Sequence, residues 1–133
     1  MNKRILVVDD EIFTLRMMEK KLQSKDCIVD ASSNSKEALE LMNSNKYDAI
    51  ILDVDLPDIS GLELLKMKNR SINEINKKTP TIMVSSSVDY ATVSEAMENG
   101  AFDYIIKSFH LDRLNDLLES IDTYGKAKEA KAV

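Results

Sequence analysis

Four places in the sequence carry residues able to act together chemically, and each directly follows a short apolar run. Asp9-Asp10-Glu11 follows residues 5–8, and Asp53 closes the run 49–52 with Asp55 two positions on. Ser85-Ser86-Ser87 follows 81–84, and Lys107 follows 104–106. Two carboxylates brought within about 4 Å repel by about 4 kcal/mol at an effective dielectric of about 20. Such a cluster takes up protons or binds a cation. Oxygen donors without His or Cys suit a hard ion, Mg²⁺ best, because it keeps water positions open to a phosphate. A carboxylate can attack phosphorus to form an acyl phosphate. A metal and a lysine neutralise the phosphoryl oxygens, and a hydroxyl donates a hydrogen bond to one of them. These are the parts for phosphoryl transfer. One acid after an apolar run is an ordinary turn or helix cap; four such run ends meeting in one crevice are not.

The elements between must make them meet. Five apolar runs begin at Ile5, Ile28, Ala49, Thr81 and Tyr104. They are β-branched and too short for helices, so they read as strands. The first, third and fourth are apolar without alternation, as expected of strands buried on both faces of a parallel sheet. The second soon meets Asp30 and reads as an edge. Helical stripes separate the runs: Ile12, Leu15, Met18 and Leu22, then Ala38, Leu41 and Met42 behind an Asn34 cap with Glu37. Ser60 and Glu63 have capping-box spacing before Leu62, Leu65 and Met67. Val93, Ala96 and Met97 lead to Gly100, and Leu111, Leu114, Leu118 and Ile121 form the last stripe. The methionines on these stripes read as core filling. Strand and helix thus alternate five times. This predicts an α/β fold, a single doubly wound (βα)5 domain whose parallel sheet runs 2-1-3-4-5 with helices on both faces. The carboxyl ends of strands 1 and 3 then flank the ligand crevice.

Composition narrows the choices. The 133 residues suit one domain. A net charge of −5 argues against direct binding of nucleic acid, which needs Lys and Arg on phosphates. Without Asp9, Asp10, Asp53 and Asp55 the net charge would be −1, so most of the acidic excess can belong to the site. One Cys and one His exclude a disulfide framework and a four-ligand structural zinc site. No apolar run approaches the ~18 residues of a membrane helix. The basic start is followed by too short an apolar run for a signal peptide. The expectation is a cytoplasmic protein with Cys27 reduced. Residues 1–122 form the expected domain, and 123–133 a Lys/Ala/Glu helical extension or linker.

Over residues 3 to 122 the sequence resembles the receiver domains of two-component response regulators, the chemotaxis receivers among them. The resemblance rests on Asp9-Asp10 after the first run and on Asp53-Val54-Asp55-Leu56-Pro57-Asp58-Ile59-Ser60-Gly61. Ser85 after Met83-Val84, and Tyr104-Ile105-Ile106-Lys107 after Gly100-Ala101, complete it. It implies that Asp53 is the phosphoacceptor. It also implies that Mg²⁺, for which Mn²⁺ or Ca²⁺ can substitute, is held by Asp10 and Asp53, by Asp9 through water and by the Asp55 backbone carbonyl. Ser85 and Lys107 would hold the phosphoryl group, and Ser85 with Tyr104 would form the conformational switch. The implied partners are a sensor histidine kinase or phosphotransfer protein as donor, and a downstream protein or output domain. The latter would meet the face of the fourth helix, fifth strand and fifth helix, where a homodimer could also form. No turnover of a separate substrate is implied.

Two positions depart from the family pattern. Asp55 stands where the side chain varies, and its carboxylate would face the phosphoryl site. Ser108 replaces the usual proline, so a trans Lys107–Ser108 bond is expected, with the Lys107 ammonium still directed at Asp53. Asp53-Val54-Asp55 also resembles the Asp-x-Asp motif of haloacid-dehalogenase-type phosphatases, although there the acidic pair comes late in the chain. A flavodoxin-like flavin protein would instead need a neutral loop where Asp9-Asp10-Glu11 would repel phosphate.

Overall fold

The computed structural model describes residues 3–71, 73–87, 89–107, 116, 119 and 120. Among the described residues, nine elements follow the expected alternation. They are β1 (Arg4–Val8), α1 (Ile12–Gln23), β2 (Ile28–Ser32), α2 (Ser35–Ser44), β3 (Ala49–Asp53), α3 (Gly61–Arg70), β4 (Thr81–Ser85), α4 (Tyr90–Glu98) and β5 (Asp103–Ile106). The five strands form one parallel sheet in the order β2-β1-β3-β4-β5. The stripe at Leu111, Leu114 and Leu118, with Ile121, lies outside the described residues, as do Ser108 and 123–133. The Ser120 hydroxyl donates to the Asp116 carbonyl four residues back, a helical spacing.

The central runs lack alternation because both sheet faces are covered. On one face Ile5, Val7, Ile51, Ile82 and Val84 pack with Leu15, Met18 and Leu22 of α1. On the other Leu6, Val8, Ile50, Leu52 and Met83 pack with α2, α3 and α4 through Ala38, Met42, Leu64, Leu65 and Ala96. β2 is one edge, and Ile28 is exposed there. Asn34 caps α2 by accepting the Glu37 N–H at 2.8 Å, and Ser60 caps α3 by accepting that of Glu63 at 3.2 Å. Gly100 follows α4 at φ 85°, the left-handed conformation that glycine adopts without a Cβ penalty.

Three methionines correct the core-filling expectation. Met18, Met42 and Met83 are buried, but Met17, Met67 and Met97 are exposed. Met17 and Met97 each neighbour a buried residue in sequence, Met18 and Ala96, and one helical step turns a side chain about 100° off the core face. Ile12 is likewise exposed, three residues before Leu15, the first buried residue of α1. In α3 the buried stripe runs Gly61, Leu64, Leu65 and Lys68, not through Met67. Lys68 occupies a core position. Its ammonium donates to the carbonyls of Asn76 (3.0 Å) and Lys77 (3.1 Å), and burial lowers its pKa to about 8.

Candidate functional site

Strand register brings the chemical residues to one edge. Val8 lies opposite Leu52, Asp53 opposite Val84, and Ser85 opposite Ile106. Asp9, Asp53, Ser85 and Lys107 therefore leave the sheet at its carboxyl edge. Loop bonds continue the ladder: Val54 N–H donates to the Val84 carbonyl at 2.9 Å, and Lys107 N–H to that of Ser85 at 2.7 Å. Gly61 lets the β3–α3 loop close over the end of β3. A Cβ there would lie 1.9 Å from the Asp53 carbonyl oxygen, so only glycine fits.

Lys107 ties the acids together. Its ammonium donates to Asp53 Oδ2 at 3.0 Å and to Asp9 Oδ1 at 3.1 Å. Asp9 and Asp53 are buried, whereas Asp10 is exposed at the mouth. Asp9 Oδ1 also accepts the Glu11 N–H at 2.8 Å, and Asp53 Oδ1 accepts that of Asp55 at 3.0 Å. Burial pushes the Asp53 carboxyl up to about 6, with the Asp9 charge adding to the shift; the Asp55 N–H and the Lys107 ammonium pull the other way. Burial works against the Lys107 charge too, but its bonds to Asp53 and Asp9 outweigh this and raise its pKa.

The donor set fits a hard cation. Asp9, Asp10 and Asp53 each offer a carboxylate oxygen, all within 4.8 Å of one another. Asp9 Oδ2 is buried without a hydrogen-bond partner, an orphaned acceptor that a cation or its water shell would satisfy. One ammonium does not neutralise three carboxylates, so the site has room for positive charge.

Ser85 is buried beside this group. Its Oγ donates to Asp55 Oδ2 at 3.4 Å and accepts the Ser87 N–H at 3.3 Å. Ser86 Oγ donates to the same Asp55 oxygen at 3.4 Å. Tyr104, half-buried on β5 opposite Met83, packs against the cluster under α2–α4. The structure thus brings Asp9, Asp10, Asp53, Asp55, Ser85 and Lys107 to one edge of the sheet, while Tyr104 packs against the core cluster beside it. A cavity of about 750 Å³ lies at the other end of the sheet against Lys68, Pro80 and Gly100, and none of the site acids, Ser85, Tyr104 or Lys107 lines it.

One contact was not legible in the sequence. Asp58, in the β3–α3 loop, accepts the N–H groups of Ser35 and Lys36, each at 3.1 Å, while Ser35 Oγ donates to the Ile59 carbonyl at 2.5 Å. This staples the loop behind Asp53 to the start of α2. The partners are 23 residues apart, and no spacing rule links them.

The family model for the response regulator receiver domain matches residues 5–119. The chain is 32% identical over 131 residues to a two-component response regulator of Arabidopsis thaliana, ARR10, covering 97% of this chain and 23% of that protein. It is 37% identical over 111 residues to the response regulator ArlR of Staphylococcus saprophyticus, covering 84% of this chain and 48% of ArlR. The chain therefore spans less than half the length of these relatives. Among solved structures, a CheY-like receiver domain protein from Methanospirillum hungatei superposes with a TM-score of 0.85 at 26% identity, covering 96% of this chain and 99% of that one. The phosphatase reading of Asp53-Val54-Asp55 finds no support in these matches. With the 2-1-3-4-5 sheet and the acids at its carboxyl edge, they show that this chain belongs to the receiver domain family of two-component response regulators.

Proposed function

We propose that Asp53 is the phosphoacceptor of this receiver. It takes a phosphoryl group from the phosphohistidine of a sensor kinase or phosphotransfer protein, or from a small acyl phosphate. A carboxylate oxygen of Asp53 forms the new bond to phosphorus. The bond from phosphorus to the donor nitrogen or acyl oxygen breaks, and the leaving group keeps the electron pair. The observation that carries this reading is the Lys107 ammonium held 3.0 Å from Asp53, where it can neutralise an incoming phosphoryl oxygen.

Asp9, Asp10 and Asp53, with the Asp55 backbone carbonyl, are the residues that would hold Mg²⁺, or Mn²⁺ or Ca²⁺ in its place. Such an ion supplies charge neutralisation for a phosphoryl group beside three acids. Ser85 turns its hydroxyl to the phosphoryl group, and Tyr104 turns inward, reshaping the face of α4 and β5. That face meets a downstream protein, an output domain or a second copy of the chain. The acyl phosphate is lost by hydrolysis, and no separate substrate is turned over. The reading places the chain in the cytoplasm; among the described residues no helix is long and apolar enough to cross a membrane.

Intact-mass analysis after incubation with a small acyl phosphate and Mg²⁺ tests this. One added phosphoryl group is expected in the natural chain and none in Asp53→Asn. Lys107→Ala should still bind Mg²⁺ yet respond poorly to phosphorylation. Undiminished labelling of Asp53→Asn contradicts the assignment.

A further inference from the structure

Asp55 lies at the mouth of the site, and its two functional groups face different ways. Its backbone N–H is bound to Asp53 Oδ1, while its carboxylate turns toward the end of β4. There one oxygen, Oδ2, accepts both the Ser85 and the Ser86 hydroxyls. The Ser87 N–H engages the acceptor side of Ser85 Oγ at 3.3 Å, which leaves the hydroxyl proton free to turn to Asp55 Oδ2, 3.4 Å away. A serine hydroxyl has a single proton to donate. It can reach the Asp55 carboxylate or a phosphoryl oxygen on Asp53, not both.

We propose that Asp55 is a positioning residue that holds the Ser85 hydroxyl away from Asp53 in the unphosphorylated chain and so biases the receiver toward its inactive arrangement. The inference rests on Asp53 being the phosphoacceptor. A phosphoryl group must win the Ser85 proton from a charged competitor before the switch can move. A contact made only in the inactive arrangement weakens apparent affinity for anything that requires the active one. Ser86 strengthens the latch by donating to the same oxygen. Asp55 is exposed on a loop, and its structural bond to Asp53 comes from the backbone, so its side chain can be removed without disturbing the core.

The test is a double-mutant cycle on the affinity for beryllofluoride at saturating Mg²⁺, read by calorimetry. Asp55→Ala should bind beryllofluoride about three- to tenfold more tightly than the natural chain, the worth of one net hydrogen bond. In a Ser85→Ala background the same change should alter affinity by less than about twofold, because no hydroxyl remains to be released. An equal gain in both backgrounds overturns the proposal: Asp55 would then act only by repelling an anion through its charge. Unchanged affinity in Asp55→Ala overturns it as well, while leaving the phosphoacceptor reading intact. A natural chain that takes up no beryllofluoride with Mg²⁺ overturns both.

Discussion

Asp53 is a buried acid whose neighbours disagree about its charge. Lys107 favours the carboxylate, while burial and Asp9 oppose it, and the opposition wins, with a pKa near 6 against an ordinary 3.8. The folded chain therefore binds more protons than the unfolded chain between about pH 4 and 6, so this group lowers stability as pH rises through that window. Removing the charge in Asp53→Asn should raise stability in metal-free buffer at pH 7 by about 1–2 kcal/mol, less than the full shift because Lys107 loses its ion partner. Urea unfolding at pH 4 and pH 7 checks it. The gain should shrink toward pH 4, and a variant less stable at pH 7 contradicts the electrostatic account. The acids, Ser85 and Lys107 were legible because each follows an apolar run and strand ends are easy to find. Lys68 was not legible. A lysine on a helix reads as solvated, and its burial is made tolerable by the loop carbonyls of Asn76 and Lys77, which no spacing rule links to it.

At the scale of elements, the β3–α3 loop and the start of α2 behave as one unit. Asp58 accepts two N–H groups in the first turn of α2, where a carboxylate also meets the positive end of the helix. Its pKa is lowered, mainly by the Ser35 N–H, so its contribution is present above pH 3.8 and fades as pH falls below that value. Asp58→Ala should lower Tm at pH 6 and speed amide exchange at residues 35–37, and the difference in Tm should narrow below pH 3.8. Unchanged exchange at those residues contradicts the staple. The capping residues Asn34 and Ser60 could be found from sequence because each serves an N–H three positions on. Asp58 could not, because its partners come from another element. The methionine stripes were misjudged for a similar reason. A loose run of apolar residues does not fix which side of a helix faces the sheet, and in α3 the buried side is set by Gly61 and Leu64.

For the whole molecule, the strand order was legible because (βα)5 alternation and right-handed crossovers leave few arrangements. That order puts Ser85 and Tyr104 on neighbouring central and edge strands, so a change at the site is expected to spread toward β5. Beryllofluoride with Mg²⁺ should alter amide exchange across residues 86–99 and 102–112, whereas changes confined to the acidic cluster contradict a switch. The central claim concerns a single atom group, the Asp53 carboxylate, and chemical trapping addresses it most directly. A carboxyl–phosphate anhydride is reduced by borohydride to an alcohol, so a phosphorylated aspartate is converted to homoserine. Peptide sequencing by mass spectrometry after phosphorylation and reduction should find homoserine at position 53 and aspartate at positions 9, 10 and 55. Homoserine at another of these positions, or phosphate on Ser85, would contradict the account.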